Sequence, residues 1–286
     1  SRICVVETDV MENLNMLDGQ VMPQIGFGTY KLNGTHGVHA IINALKQGYH
    51  LLDTAYNYEN EGTVGRAIAN SHISRDQIIV TSKLPGRYQD YDAALTAIQE
   101  SIYRLNVEYI DLYLIHWPNP KQEKYIEAWK ALIAAQKAGL IKSIGVCNFL
   151  PEHIERLEKE TGILPAVNQI ELHPYFNQKA MIQYHNEKGI ITQAWSPLGR
   201  ASEVINDKDI ATIAEKYNKT IPQIILKWHV QNGVVPIPKS TSISRQIQNK
   251  DIFDFYLENE DLDKIDALTQ QDGRLKGQDP ATYEEY

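Results

Sequence analysis

Eight short runs rich in branched apolar residues recur along this 286-residue chain, at 25–29, 50–55, 78–84, 110–116, 143–148, 167–173, 190–196 and 234–239. Such continuous apolar runs predict strands buried on both faces, as in parallel sheets. Between them the spacing changes to that of one helix face, as with Leu95, Ile98, Ile102 and Leu105, or Trp129, Leu132 and Ile133. Right-handed strand-helix-strand units either close into a barrel or spread into a doubly wound sheet. Eight units favour closure into a (β/α)8 TIM barrel, and the length suits a single domain of that kind. The stretch from 199 to 232 carries two helical patterns, 207–217 and 222–231. Ahead of the barrel, apolar residues at 14–17 and 21–22 flank Asp18-Gly19, a turn pair that predicts a β-hairpin lid outside the barrel. No linker interrupts the pattern, so 14–286 is expected to be one domain and 1–13 an N-terminal extension.

Charge and composition remove several classes of partner. The formal net charge is -8 and no run of Lys and Arg could neutralise a string of phosphates, so nucleic acid is not an expected partner. Two cysteines, Cys4 and Cys147, are too few for a disulfide framework, and the early apolar stretch Ile3-Cys4-Val5-Val6 is too short for a signal peptide. No stretch approaches the roughly 20 apolar residues that span a bilayer. A soluble, monomeric, cytoplasmic protein is expected. No His-x-His follows the first strand and the nine histidines are scattered, so no metal is expected.

Four ionisable side chains stand where apolar runs end: Asp53, Tyr58, Lys83 and His116. Parallel strands of a closed barrel deliver such residues to one mouth, and an acid, a phenol, an amine and an imidazole together point to proton transfer. A dinucleotide-binding turn is missing, because Gly26-Phe27-Gly28-Thr29-Tyr30-Lys31 has Lys where the third glycine belongs, and no Gly-x-x-x-x-Gly-Lys loop occurs.

The strings Asp53-Thr54-Ala55-Tyr56-Asn57-Tyr58-Glu59-Asn60-Glu61, Thr81-Ser82-Lys83-Leu84 and Leu114-Ile115-His116-Trp117-Pro118 resemble the signature of the aldo-keto reductases. Further matches follow in family order: Gly26-Phe27-Gly28-Thr29, Ile144-Gly145-Val146-Cys147-Asn148-Phe149, Asn168-Gln169-Ile170-Glu171-Leu172-His173-Pro174, Ser196-Pro197-Leu198-Gly199 and Ile237-Pro238-Lys239-Ser240. The resemblance implies a barrel that binds NADPH and reduces aldehydes or ketones to alcohols. Tyr58 is then the general acid, preferred over Tyr56 by its spacing from Asp53.

Residue chemistry supports those roles. Carbonyl reduction needs hydride on carbon and a proton on oxygen from a positioned, neutral donor. A free phenol titrates near 10, and a neighbouring ammonium such as Lys83 is expected to draw Tyr58 toward neutrality. Asp53 is the expected counter-ion of Lys83, and His116 the hydrogen-bond donor to the carbonyl oxygen.

By the same resemblance, Gly28 and Thr29 border the cofactor, and Cys147, Asn148 and Gln169 face the nicotinamide carboxamide. Cys147 stands where the family has Ser, a weaker donor. Trp195 would stack on nicotinamide, with Ser196 and Leu198 in the pyrophosphate segment. Lys239, Ser240 and Arg245 would surround the adenosine 2'-phosphate, favouring NADPH over NADH. Gln248, where a Glu is common, and Asn249 would meet adenine. Tyr30, His116 and Trp117, the short 118–124 connection and the 273–286 tail would line the substrate pocket. Both loops are brief, as in the family's bacterial diketogluconate and glyoxal reductase branch, implying an open pocket for small, polar or dicarbonyl substrates. The acidic end Glu284-Glu285-Tyr286 is expected to be solvated and frayed. The competing expectation is an NADPH-binding regulatory subunit with weak turnover.

Overall fold

The computed structural model describes residues 13–200 and 203–286. Cys4 and nearly all of the expected extension 1–13 lie outside the described residues. Two short strands, β1 (Asn13–Asn15) and β2 (Val21–Pro23), pair antiparallel around Gly19, whose φ of +87° suits the turn. Eight parallel strands follow in sequential order: β3 (Phe27–Gly28), β4 (Leu51–Asp53), β5 (Ile79–Leu84), β6 (Ile110–Ile115), β7 (Ile141–Cys147), β8 (Val167–Glu171), β9 (Ile191–Trp195) and β10 (Val234–Pro236). Backbone bonds from Gly26 N to Pro236 O (3.0 Å) and from Gly28 N to Pro238 O (2.9 Å) join the first and last strands, so the sheet closes. The first and last strands are shorter than their apolar runs. At the last, Pro236 and Pro238 have no N–H to give the ladder.

Helices alternate with the strands as the patterns predict: α1 (Gly34–Lys46), α2 (Glu61–Asn70), α3 (Tyr91–Leu105), α4 (Tyr125–Lys137), α5 (Pro151–Thr161) and α6 (Lys179–Lys188). Two more, α7 (Lys208–Tyr217) and α8 (Ile221–Gln231), precede β10, and α9 (Ile243–Lys250) and α10 (Asn259–Asp266) follow it. Their ends obey local chemistry. Asp207 caps α7 by accepting from the N–H groups of Asp209 and Ile210, Thr220 and Gln223 form a reciprocal capping box on α8, and Asn106 ends α3 with φ +55°. In α3, Ile98, Ile102 and Leu105 are buried against the sheet and Leu95 half-buried, as their spacing predicts.

The hairpin plugs the mouth where the strands begin. Met16 and Met22 pack with Leu51, Leu112, Val167, Ile191 and Val235, so one end of the barrel is sealed by apolar contact. The other mouth, at the carboxyl ends of the strands, stays available for chemistry. Among the described residues no helix is long and apolar enough to cross a membrane.

Candidate active site

Asp53 ends β4, Lys83 is the penultimate residue of β5, and His116 follows β6, so strand ends place all three at one mouth. Tyr58 ends a single 3-10 turn, Tyr56–Tyr58, just beyond β4, and Glu59 (φ +55°) turns the chain into α2. Lys83 is fully buried, and its Nζ donates to Asp53 Oδ1 at 2.6 Å, Thr54 O at 2.9 Å and Tyr58 Oη at 3.3 Å. The four residues expected from sequence thus meet, with the Tyr58 and His116 ring centroids 6.0 Å apart. Tyr56 lies elsewhere, its ring packed on Tyr88 and under the Arg104 guanidinium.

The electrostatics differ from expectation at Tyr58. Burial is the largest influence and raises the phenol; the Lys83 ammonium pulls it down, but Asp53 pushes it up again, leaving it at about 12. It is not drawn toward neutrality, because the cation beside it is already paired with a carboxylate in a buried setting. Tyr58 is therefore a neutral phenol at physiological pH. Burial is the largest influence on the Lys83 ammonium and works against it, but Asp53 together with Tyr58 and Cys147 outweighs burial and holds Lys83 charged.

Several expected cofactor residues line a cavity of about 300 Å³ at this mouth, among them Cys147, Asn148, Gln169 and Trp195 together with Tyr30, Tyr58, His116 and Trp117. Their hydrogen bonds restrict what each can offer. Gln169 Nε2 donates to Asp53 Oδ2 (2.7 Å) and Gln193 Oε1 (2.9 Å), which leaves the amide oxygen as its free group. Asn148, at φ +61°, gives one N–H to His116 O and accepts from Trp195 Nε1, keeping one donor and one acceptor site. Burial pushes the Cys147 thiol up, so it is a neutral, weak donor. Thr29 has a task within the fold. It is fully buried, its hydroxyl and N–H both go to Asp53 O, and Asn60 Nδ2 takes its carbonyl, so it braces the end of β4. Gly28 approaches the last strand so closely that a Cβ would lie 3.2 Å from Ile237 O.

Beyond the cavity, Ser196 (φ +48°), Gly199 (φ +72°) and Arg200 (φ +50°) make a left-handed main-chain segment of the kind that cradles anions, and Leu198 packs between the core clusters. Arg200 donates from Nε to Ser196 Oγ (2.6 Å) and faces the rings of Tyr30 and Trp195, each about 5.5 Å away. Lys239 is pushed down, first by burial and then by the like charges of Lys31 and Arg200. Among the described residues none of these three cations has a carboxylate partner within 4.0 Å. Ser240 Oγ accepts from Ser242 N, and Ser242 caps α9, where Arg245 and Gln248 are exposed and Asn249 is buried. Three unpaired cations beside an anion-cradling loop and a helix N-terminus fit a phosphate-bearing cofactor. Sequence reading missed Lys31 and Arg200, although each is a cation adjoining a motif already singled out.

The acidic end of the tail is the largest correction. Glu285 is not solvated: Oε1 accepts from Gly86 N (3.0 Å), Oε2 accepts from Asn57 Nδ2 (3.0 Å), and Oε2 lies 2.7 Å from His116 Nδ1. That oxygen stands off the Nδ1–H axis, so the contact is an electrostatic pair rather than an aligned hydrogen bond. Tyr283 packs on Trp117 with centroids 4.5 Å apart, and Lys276, Gln278, Tyr283 and Glu285 join the cavity wall. Nothing local in the sequence could signal contacts across some 170 to 230 residues of chain.

Comparison with known proteins follows this geometry. The sequence pattern of the Aldo/keto reductase family matches residues 24–270. The chain is 47% identical over 272 residues to 2,5-diketo-D-gluconic acid reductase B of Corynebacterium sp. (strain SHS752001), covering 95% of this chain and 98% of that protein. It is 43% identical over 268 residues to methylglyoxal reductase DkgA of Escherichia coli (strain K12), covering 93% and 96% respectively. The crystal structure of a Gox0644 point mutant in complex with NADPH superposes with a TM-score of 0.92 at 41% identity, over 96% of this chain and 100% of that one.

Proposed function

This chain belongs to the aldo/keto reductase family and is an NADPH-dependent carbonyl reductase, from which we propose that Tyr58 is its proton donor and that small, polar or dicarbonyl aldehydes and ketones are its substrates. One observation carries the assignment of the donor. Lys83 Nζ, itself locked by Asp53, sits 3.3 Å from Tyr58 Oη at the wall of the cavity.

Reduced nicotinamide, when bound, would supply the hydride. The chain's own residues handle the oxygen: Tyr58 Oη gives its proton to the carbonyl oxygen, which becomes the alcohol, and the phenolate left behind is stabilised by the Lys83 ammonium. Asp53 keeps that ammonium charged and aimed. His116 directs an N–H at the same oxygen and stabilises negative charge as it develops. Asn148, the Gln169 amide oxygen and Cys147 are the groups for the carboxamide, and Trp195 offers a ring face. Lys239 and Arg245, with Ser240, are the 2'-phosphate group, joined by Lys31 and Arg200 nearby. Gln248 and Asn249 remain the candidates for adenine. Thr29 also holds the Asp53 backbone through its hydroxyl and N–H.

A cavity of about 300 Å³ walled by Tyr30 and Trp117 suits small substrates. Dicarbonyl and keto-sugar reduction is the activity named for the relatives, and it fits that size. The described cavity is lined by one chain, which fits a monomer, and we further propose a single barrel domain over 14–286 that acts in the cytoplasm without nucleic acid. Reduction of methylglyoxal and glyoxal, followed by NADPH absorbance, tests the substrate class. Turnover confined to large apolar ketones would overturn it.

A further inference from the structure

We propose that Gln193 is a positioning residue for the cofactor: by accepting one amide hydrogen of Gln169, it leaves only the Gln169 oxygen facing the cavity, and so selects a nicotinamide that offers the N–H of its carboxamide there. The inference rests on the reading of Gln169 as a carboxamide contact.

Sheet register explains how the two amides meet. Strands β8 and β9 pair Val167 with Ile191 and Gln169 with Gln193, and alternate residues of a strand share a face, so all four side chains point into the barrel. Val167 and Ile191 pack with Met22 in the apolar plug, at the mouth where the strands begin. One step further along, Gln169 lines the cavity, while Gln193 is fully buried beneath it. An apolar side chain at 193 would suit the plug, so an amide there needs polar partners. It has two. Gln193 Nε2 donates to Met22 Sδ at 3.4 Å, and Gln193 Oε1 accepts from Gln169 Nε2 at 2.9 Å.

The ends of this chain fix its direction. A thioether has no hydrogen to give, so the Gln193 amide turns its nitrogen to Met22 and its oxygen to Gln169. At the other end the Asp53 carboxylate, paired with Lys83 through Oδ1, accepts from Gln169 Nε2 through Oδ2 at 2.7 Å. Both hydrogens of Gln169 Nε2 are thereby engaged. Turning that amide over would set its oxygen against Asp53 Oδ2 and Gln193 Oε1, three acceptors together in a buried place. Its oxygen is therefore held toward the cavity, where it favours an N–H and disfavours a carbonyl. Without an acceptor at 193, one buried N–H is orphaned and the amide loses one of the two bonds that aim its oxygen. The hairpin thus reaches the cofactor contact through Met22, although it closes the opposite mouth.

The test titrates the full chain, by protein fluorescence, with three ligands: NADP+, its 3-acetylpyridine analogue, which has a methyl group in place of the carboxamide NH2, and 2'-phospho-ADP-ribose, which has no nicotinamide. Gln193→Met and Gln193→Leu both remove the acceptor and differ in shape. Each is expected to weaken NADP+ roughly fivefold, the worth of one neutral hydrogen bond, and to leave the other two ligands within about twofold of wild type. A loss shared by all three ligands in both variants would point to a disturbed fold and would overturn the proposal, as would unchanged NADP+ affinity. Gln169→Met tests the underlying reading and should show the same selective loss. Its absence there would remove the carboxamide contact itself, whereas a selective loss in Gln169→Met with none in the Gln193 variants would overturn the role of Gln193 alone.

Discussion

At the scale of single residues, one buried cation is shared between two oxygens of different charge. Lys83 lies between Asp53 and Tyr58, and the pair with Asp53 is what makes a buried ammonium tolerable. Lys83→Met should therefore destabilise the fold by about 3–5 kcal/mol by leaving Asp53 buried and unpaired, and Asp53→Asn in the same chain should recover part of that loss. Urea denaturation of the single and double variants measures both. Tyr58 carries a pH signature with a definite sign. Its folded value of about 12 exceeds the ordinary 10, so burying the neutral phenol contributes stability that is full below pH 10 and lost as pH rises to 12. Tyr58→Phe should flatten the loss of stability across that window, which denaturation at stepped pH would reveal. The meeting of these residues was legible from their places at the ends of apolar runs and from the family resemblance. It could not show that Asp53 and burial outweigh Lys83 at Tyr58, since that balance depends on distances fixed only by folding.

Among the elements, α8 and α9 make separate predictions. Lys227, on α8, is buried with no hydrogen-bond partner for Nζ among the described residues and faces the Tyr256 ring at 4.6 Å. Burial depresses it to about 8, so its energetic cost is full below pH 8 and fades as pH rises toward the ordinary lysine value. Lys227→Met should raise Tm at pH 7 and lose that advantage by pH 10, as thermal melts at the two pH values would show. At the start of α9, Arg245 is exposed and free to meet a 2'-phosphate. Arg245→Ala should weaken NADPH by about tenfold and leave NADH unchanged, since a charge-assisted bond to an ionised group is worth roughly 1.5–3 kcal/mol. Titration by protein fluorescence with each cofactor checks it, and equal losses would remove Arg245 from that role. Helices and strands were legible because their periodicities of apolar residues differ. That Thr29 also braces the end of β4 was not legible, because no local pattern announces its bond to Asp53.

For the molecule as a whole, eight strand-helix units predict a closed barrel with its chemistry at one mouth, and the bonds from Gly26 and Gly28 to the last strand complete that closure. The hairpin was legible from Asp18-Gly19 and seals the opposite mouth with Met16 and Met22. The resemblance placed the tail at the pocket, but the seat of its acidic end was not legible. Glu285 is held by Asn57, Gly86 and Asn119, partners remote in sequence, and acidic terminal residues read in isolation as solvated. The central claim is that this barrel reduces carbonyl compounds with Tyr58 as the proton donor. The most direct measurement follows NADPH absorbance with small dicarbonyls and keto sugars, comparing wild type with Tyr58→Phe, and measures NADPH binding to both. The account predicts turnover by the wild type and a loss of about 10²-fold or more in the variant, with cofactor affinity retained. Tight NADPH binding without turnover in the wild type, or undiminished turnover in Tyr58→Phe, would contradict it.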